Sequence, residues 1–231
     1  MLTYTMEIAG LKRELPICRV TDDLYIGAFI CFGDAELTVA CARELLKLVP
    51  ADSYDYISTA EAKSIPLIHE MARQSGAEKY FIARKGPKVY MPDPIHVEDQ
   101  SITTAGGQKL YLGRDDADLI RGKRILIMDD VISTGGSLLA MESLVAAAGG
   151  IVAGKIAVLA EGAAQQRDDI KFLAPLPVFN ADGTVKKTAK APGKKATTRG
   201  KGKAKTAASE KKTAATRKRR PGRPAKKEAD V

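Results

Sequence analysis

The stretch that most constrains the fold of this chain is ILIMDDVISTGGS at residues 125–137, where an apolar run is followed by two acids and then by hydroxyls and glycines. Four apolar residues in succession predict a strand buried on both faces, which is typical of a parallel sheet covered by helices. Asp129 and Asp130 then follow at the carboxyl edge of that strand, where such sheets place their ligands. We therefore expect an α/β domain with a functional site at this edge.

The residues after the acidic pair have the chemistry of a phosphate site. Ser133, Thr134, Gly135, Gly136 and Ser137 lead into a predicted helix. Backbone N–H groups, hydroxyls and the positive helix end attract a phosphate dianion, and glycine lets the backbone approach its oxygens closely. Two adjacent carboxylates suit the vicinal hydroxyls of a ribose, so the stretch predicts a site for ribose 5-phosphate. The alternative is an Asp-Asp turn that only caps a helix. The Walker and dinucleotide-binding patterns are both absent from the sequence.

Strand-like and helix-like segments alternate through the first 180 residues. Helical periodicity and end signals predict helices at 35–48, 66–76 and 137–150, and short buried runs predict strands at 54–59, 79–84, 124–130 and 154–161. This alternation predicts a doubly wound, mainly parallel sheet. Residues 88–112 contain prolines and a Gly-Gly turn between strand-like runs, which predicts a protruding hairpin flap.

The charge of the chain is divided unevenly. The net charge is +9, but residues 181–231 contain 18 Lys and Arg against 4 Asp and Glu, which leaves 19 basic and 24 acidic residues in 1–180. The last segment has only two large apolar residues, Val185 and Val231, so burial cannot offset the entropy lost on ordering it. The sequence thus predicts a folded domain over 1–180 and a disordered polycationic tail over 181–231.

The stretch 125–137 resembles the phosphoribosyl pyrophosphate (PRPP) signature of the type I phosphoribosyltransferases, and two further segments extend the resemblance across nearly all of residues 1–180. STAEAKSIP (58–66) resembles the pyrophosphate loop of the purine enzymes, where an acid-Ala pair often adopts a strained peptide. ARKGPK (83–88) resembles the Arg-Lys segment at the base of their flap. The resemblance implies that pyrophosphate is bound by Glu61, Ala62, Lys63, Ser64, Arg84, Lys85 and Lys88.

The reaction implied by this resemblance is transfer of ribose 5-phosphate from PRPP to a ring nitrogen of a purine base, with release of pyrophosphate. Its transition state would resemble an oxocarbenium ion. Asp129 and Asp130 would fix the ribose, and Lys63 and Arg84 would stabilise the departing charge. Mg²⁺ would be bound mainly through PRPP, so no protein metal site is expected. The flap would close to exclude water, and a homodimer is expected from the family.

The identity of the base rests on two departures from the family. Adenine enzymes usually carry a flap glutamate, where this sequence offers Thr103 or Thr104; xanthine enzymes use a lysine after the last core strand, where this sequence has Glu161. A carboxylate accepts a hydrogen bond from an exocyclic amine and repels an oxo group, which favours adenine over xanthine. Phe29 either stacks on the base or belongs to the hydrophobic core.

The end of the tail, RKRRPGRPAKK at 217–227, resembles an AT-hook, whose Gly-Arg-Pro core lies in the narrow minor groove of A·T-rich DNA. Gly222, Arg223 and Pro224 match that core and Arg220 is a flanking cation, whereas Pro221 stands where the usual first arginine would be. The run upstream resembles a linker-histone tail, which binds polyanions by counterion release. Nucleic acid is therefore an expected partner; a solubilising extension is the alternative.

Two functions from different classes fit the sequence. One is a purine salvage enzyme with a nucleic-acid-tethering tail, and the other is a PRPP-sensing regulator whose tail binds DNA. The retained cations of the pyrophosphate segments favour the enzyme, whereas the missing flap glutamate favours the sensor.

The sequence also predicts where the protein resides. No apolar run approaches the ~20 residues of a membrane span, and the first residues lack the pattern of a secretion signal. The three cysteines have no C-x-x-C spacing, which argues against a disulfide framework or a structural zinc site. We expect a cytoplasmic or nucleoid-associated protein that does not bind membranes.

Overall fold

The computed structural model describes residues 1–98 and 109–187. The predictions for Thr103, Thr104 and the AT-hook-like segment 217–227, including Arg220, Gly222, Arg223 and Pro224, lie outside the described residues.

Eleven strands and four α-helices of the described residues follow one another along the chain. They are β1 (Thr3–Ile8), β2 (Leu11–Arg19), β3 (Tyr25–Gly27), α1 (Ala35–Lys47), β4 (Tyr56–Ala60), α2 (Ile65–Ser75), β5 (Phe81–Ala83), β6 (Ile95–Glu98), β7 (Lys109–Leu112), α3 (Arg114–Ile120), β8 (Arg124–Ile132), α4 (Gly136–Ala147), β9 (Ile151–Glu161), β10 (Lys171–Leu176) and β11 (Val178–Phe179).

A five-stranded sheet of order β10-β9-β8-β4-β5 forms the centre of the domain, and all of its strand pairs are parallel. Side chains alternate between its faces along β8. Leu126 and Met128 enter one hydrophobic core, with α1 and α2, while Ile125 and Ile127 enter the other, with α3 and α4. Helices therefore cover both faces, which explains the continuous apolar run and confirms the predicted doubly wound parallel fold.

The predicted helices form at nearly the expected positions because residues that favour helix starts and ends occupy their termini. Asp34 Oδ1 accepts a hydrogen bond from Leu37 N at 3.0 Å and so caps the start of α1. Gly76 ends α2 in the left-handed conformation, with φ of +72°. Among the described helices, none is long and apolar enough to cross a membrane.

A four-stranded antiparallel sheet of order β1-β2-β3-β11 lies outside the sequence prediction. Its last strand brings Phe179 into the interior, where the side chain is fully buried and its ring centroid lies 5.0 Å from that of Tyr4. The chain then turns back, and Lys186 N donates a hydrogen bond to Val178 O at 2.8 Å. Ordered backbone pairing thus continues to Lys186, beyond residue 180.

The predicted hairpin supplies a small two-stranded sheet in which β6 and β7 pair antiparallel. Tyr111 of β7 also exchanges two backbone hydrogen bonds, each of 2.8 Å, with Arg84 just after β5. The base of the flap is therefore attached to the segment that the sequence assigns to pyrophosphate.

Candidate active site

The acidic pair lies within β8 rather than beyond its end. The strand continues to Ile132, because β9 runs beside it and pairs Asp129 with Ala157 and Ile132 with Ala160. The sequence prediction of a strand ending at residue 130 was therefore two residues short. Asp129 is half-buried, whereas Asp130 is only 4% exposed. The site is correspondingly more enclosed than a loop after the strand would be.

Ser64 joins the acidic pair to the loop predicted to bind pyrophosphate. Its hydroxyl lies 2.9 Å from Asp129 Oδ1 and 3.3 Å from Asp130 Oδ1, and it accepts a hydrogen bond from Asp130 N at 2.9 Å. Ser64 precedes α2 but does not cap it through its side chain. Its hydroxyl is instead used to fix the carboxylates, so β8 and the 61–64 loop form one polar cluster.

Lys63 provides the positive charge in this cluster. Its Nζ lies 2.6 Å from Asp130 Oδ2. That carboxylate oxygen is buried and makes no directional hydrogen bond with the described residues, so the ion pair is held by charge rather than by aligned geometry. The Lys63 side chain is 48% exposed, so the cation of this ion pair faces solvent while its carboxylate partner is buried.

The two carboxylates cannot both carry charge at low cost. Enclosure of Asp129 by surrounding protein atoms and the nearby Asp130 carboxylate together raise the pKa of Asp129, and hydrogen bonds from Ser64 and the Asp130 backbone oppose that shift only in part. Ligand hydroxyls that donate to these oxygens would relieve the repulsion, as would a cation.

The two segments predicted to bind pyrophosphate converge at the ends of β4 and β5. The Glu61–Ala62 peptide bond is cis. Glu61 Oε1 accepts a hydrogen bond from Lys85 N at 2.6 Å, and Glu61 Oε2 lies 2.9 Å from Arg84 Nε. The backbone of Lys88 closes a turn by accepting from Met91 N at 2.9 Å. Both oxygens of the Glu61 carboxylate are thus in contact with the 84–85 segment of the protein.

The hydroxyl-glycine stretch forms a small concave loop at the start of α4. Its cavity, of about 40 Å³, is lined by Asp129 and by the predicted phosphate residues Ser133, Thr134, Gly135, Gly136 and Ser137, among others. Gly135 has a φ of +86°, in the left-handed region that favours glycine. Asp129, one of the two predicted ribose residues, therefore shares a cavity with the predicted phosphate residues, whereas Asp130 is not among the residues that line it.

Arg167 is a neighbour of this loop that the sequence analysis did not identify. Its Nε and Nη2 bind the two carboxylate oxygens of Asp169 at 2.9 and 2.7 Å. Its Nη1 lies 2.6 Å from the position that a β-carbon on Gly135 would occupy. Only the absence of a side chain at residue 135 allows this approach, which no local sequence pattern indicates.

The structure assigns different places to the aromatic residues near the site. Phe29, predicted either to stack on the base or to join the core, is 3% exposed and packs in the core with α1 and α2. Phe32, in contrast, is 49% exposed. Between them, Cys31 Sγ donates to Lys63 O at 3.1 Å, which attaches this segment to the site. Burial alternates along this segment, with 29 and 31 buried and 30 and 32 exposed, but all four residues are apolar, so the sequence did not indicate that Phe32 is the exposed aromatic residue.

Glu161 ends β9, the strand next to β8. Its side chain is partly buried, and burial raises its pKa while the charge of Lys63 acts in the opposite direction. Glu161 thus belongs to the same electrostatic environment as Lys63 and the acidic pair.

Comparisons with known proteins agree with this geometry. Residues 51–182 match the phosphoribosyl transferase domain family. An adenine phosphoribosyltransferase of Mycobacterium avium (strain 104) is 41% identical over 171 residues, covering 74% of this chain and 89% of the relative. A hypoxanthine/guanine phosphoribosyltransferase of Methanotorris igneus is 33% identical over 99 residues, 43% of this chain, and the match spans half of that relative's length.

A solved structure supports the fold independently. The adenine phosphoribosyltransferase of Rhodothermus marinus DSM 4252 superposes with a TM-score of 0.54 at 22% identity, covering 75% of this chain and 94% of that one. The chain belongs to the phosphoribosyltransferase family. Within that family it belongs to the purine branch, as the sequence analysis predicted.

We predict that the apo protein is more stable when Asp129 carries no charge. Because the pKa of Asp129 is raised on folding, the folded state holds its proton more tightly, and ionisation at higher pH destabilises it. At pH 8 without ligand and with EDTA, Asp129→Asn should raise Tm by roughly 3 °C, about what 1 kcal/mol does in a domain of this size. The gain should shrink at pH 5. Asp118→Asn, an exposed surface change, is the control; an unchanged or lower Tm for Asp129→Asn at pH 8 would contradict the expectation.

We also predict that Gly135→Ala weakens binding of ribose 5-phosphate by about tenfold or more, the scale of one lost charged hydrogen bond. The new methyl group would displace Arg167 and strain a left-handed residue in the loop predicted to bind phosphate. Gly76→Ala is the matched control, since Gly76 has φ of +72° but open space around its β-carbon position. Both variants should lose similar stability by thermal unfolding, and calorimetry should show weaker binding only for Gly135→Ala. Equal affinities would rule out this role for residue 135.

Proposed function

We propose that this purine phosphoribosyltransferase transfers the ribose 5-phosphate unit of PRPP to adenine, releasing pyrophosphate and forming AMP. The observation that carries the proposal is the cluster of Asp129, Asp130, Ser64 and Lys63 beside the hydroxyl-glycine loop. It occurs in a chain 41% identical to an adenine phosphoribosyltransferase.

The donor sugar is held from both ends. Asp129 and Asp130 accept hydrogen bonds from the ribose hydroxyls, and the loop 133–137 binds the 5-phosphate at the start of α4. Asp130 Oδ2, which has no directional hydrogen bond among the described residues, is available as an acceptor once Lys63 moves. Two fixed ends leave the anomeric carbon in one orientation, which lowers the entropic part of the barrier.

The leaving group is met by the cations at the neighbouring strand ends. Lys63, Arg84, Lys85 and Lys88 bind pyrophosphate as the C1–O bond breaks and a C1–N bond to the base forms. The negative charge of the Asp129 and Asp130 carboxylates would stabilise the positive charge that develops on the ribosyl ring, as in glycoside cleavage.

Mg²⁺ fits this arrangement as a partner of PRPP. The described residues contain no cluster of three or more His, Cys, Asp or Glu side chains that would hold a metal ion, whereas Asp129 and Asp130 lie beside the expected substrate oxygens and supply hard oxygen donors. When bound, the ion neutralises pyrophosphate charge and makes it a better leaving group.

The base is recognised by Phe32 and Glu161. Phe32 is the exposed aromatic side chain of the segment attached to Lys63, so it replaces Phe29 in the stacking role. Glu161 accepts a hydrogen bond from the exocyclic amine of adenine, which xanthine and hypoxanthine lack at that position.

The proposed function predicts AMP formation from adenine, PRPP and Mg²⁺, with slower turnover of hypoxanthine, guanine and xanthine. Replacing both Asp129 and Asp130 by alanine should abolish turnover, because the ribose loses its acceptors. Phe32→Ala should raise KM for adenine about tenfold, the scale of one lost aromatic stack. Product chromatography with each base in turn measures these outcomes. PRPP binding without product from any purine would instead favour a PRPP-sensing regulator.

We further propose that the basic C-terminal segment binds nucleic acid. Residues 181–231 contain 18 Lys and Arg against 4 Asp and Glu, so contact with a polyanion would release condensed counterions. The AT-hook-like residues Arg220, Gly222, Arg223 and Pro224 give this segment a preference for A·T-rich minor grooves.

Removal of the residues after Lys187 should eliminate DNA binding and leave AMP formation unchanged. The shift of A·T-rich and G·C-rich duplexes in native gels at low and high salt measures the first effect, and the purine assay measures the second. Retention of salt-sensitive DNA binding by the truncated protein would overturn the assignment to the tail.

A further inference from the structure

We infer that Glu61 is a positioning residue: it does not bind pyrophosphate but aims Arg84 and Lys85 at it and connects them to the flap. The inference rests on the proposed function, since it assumes that these cations meet the pyrophosphate of PRPP. It changes the role that the sequence resemblance implied for Glu61.

The carboxylate of Glu61 is already occupied within the protein. Oε1 accepts a hydrogen bond from Lys85 N at 2.6 Å, while Oε2 lies 2.9 Å from Arg84 Nε. The side chain is 14% exposed. Both oxygens of this carboxylate are engaged by the protein, and a carboxylate placed beside a polyphosphate would repel it.

A carboxylate in an anion site weakens the attraction of the cations around it, so its presence needs a compensating benefit. Here the benefit is geometric. Glu61 N also donates to Ala83 O at 2.9 Å, so both the backbone and the side chain of Glu61 bind the 83–85 segment. This double attachment fixes the distance between the 61–64 loop and the Arg84–Lys85 pair.

The same attachment continues into the flap. Arg84 N donates to Tyr111 O and Tyr111 N donates to Arg84 O, each at 2.8 Å. Tyr111 lies in β7, which pairs with β6 to form the base of the flap. A path of direct contacts therefore runs from Glu61 through Arg84 to Tyr111, and the base of the flap, formed by β6 and β7, is attached to the 61–64 loop.

The contact between Glu61 and Arg84 leaves the guanidinium some freedom. Arg84 Nε is buried but makes no directional hydrogen bond with the described residues, although it lies 2.9 Å from Glu61 Oε2. The pair is held by charge, which depends weakly on angle. Arg84 is thus able to turn towards an incoming anion while its counter-charge remains beside it.

Glu61→Gln separates this role from simple repulsion, because the two predict opposite signs. Glutamine keeps an oxygen for Lys85 N but removes the charge that holds Arg84. We expect KM for PRPP to rise about tenfold, the scale of a lost charged contact. If the carboxylate only repelled the ligand, its neutralisation would tighten PRPP binding, and that result would overturn the inference.

AMP provides the readout that a merely structural role would not give, since it occupies the phosphate and ribose positions but lacks pyrophosphate. Its Kd should stay within about twofold of the wild-type value in Glu61→Gln, which is within ordinary error for an unaltered contact. Equal weakening of AMP and PRPP would indicate general damage to the site and contradict the inference.

Glu70→Gln is the matched control, because Glu70 is similarly enclosed (12% exposed) and also pairs with an arginine, Arg73, at 2.7 Å, on α2. Its KM for PRPP should equal that of the wild type. Thermal unfolding of both variants checks that they fold. Absence of PRPP binding by the wild-type protein would defeat the proposed function itself, whereas wild-type binding with an unaffected Glu61→Gln variant would defeat only the role of Glu61.

Discussion

The contact on which the site depends is the hydroxyl of Ser64 between the carboxylates of Asp129 and Asp130. It joins the central strand β8 to the loop before α2 across 65 residues of sequence. Without it, two adjacent acids on a buried strand would face each other with little compensation, and the 61–64 loop would lose its attachment to the sheet. Because Lys63 immediately precedes Ser64, the same contact also positions the cation that pairs with Asp130. The hydrogen bond of one serine therefore sets both the charge balance and the geometry of the proposed ribose position.

Much of this arrangement could be predicted because short, local sequence patterns encode it. The apolar run 125–128 needs cover on both faces, which fixes the class of sheet, and parallel strands bring their carboxyl ends to one edge. Motifs at the ends of β4, β5 and β8 therefore had to meet. The β1–β2 hairpin of the antiparallel sheet has a local signal that the prediction did not use, the two-residue turn Ala9-Gly10 between strand-like runs. The closing strand β11 has no such signal, because it has two residues and pairs with β3 about 150 residues away. Such pairing is decided by tertiary packing around Phe179, and neither propensity nor periodicity encodes it.

Side-chain roles were harder to predict than positions. The sequence left Phe29 between base stacking and the core, and the family resemblance implied a pyrophosphate role for Glu61. The structure packs Phe29 in the core and engages Glu61 with Lys85 and Arg84. For Phe29 the deciding fact is the direction of the side chain, which the uniformly apolar run 28–32 does not indicate, and for Glu61 it is a contact with a residue 24 positions away in the sequence. The position of Arg167 could not be predicted for a related reason, since its close approach to residue 135 depends on the absence of a side chain at that glycine.

The electrostatics of the apo site follow from its function. A site that must hold a ribosyl cation in the transition state needs clustered negative charge, and a site that must release pyrophosphate needs cations a few ångströms away. In the absence of ligand these groups have only one another, so Lys63 pairs with Asp130 and the pKa of Asp129 is raised. Burial on β8 makes that repulsion costly, yet it also keeps water from screening the same charges when the donor binds. Local stability is therefore lowered by the same enclosure that makes the carboxylates effective, and ligand binding would restore it.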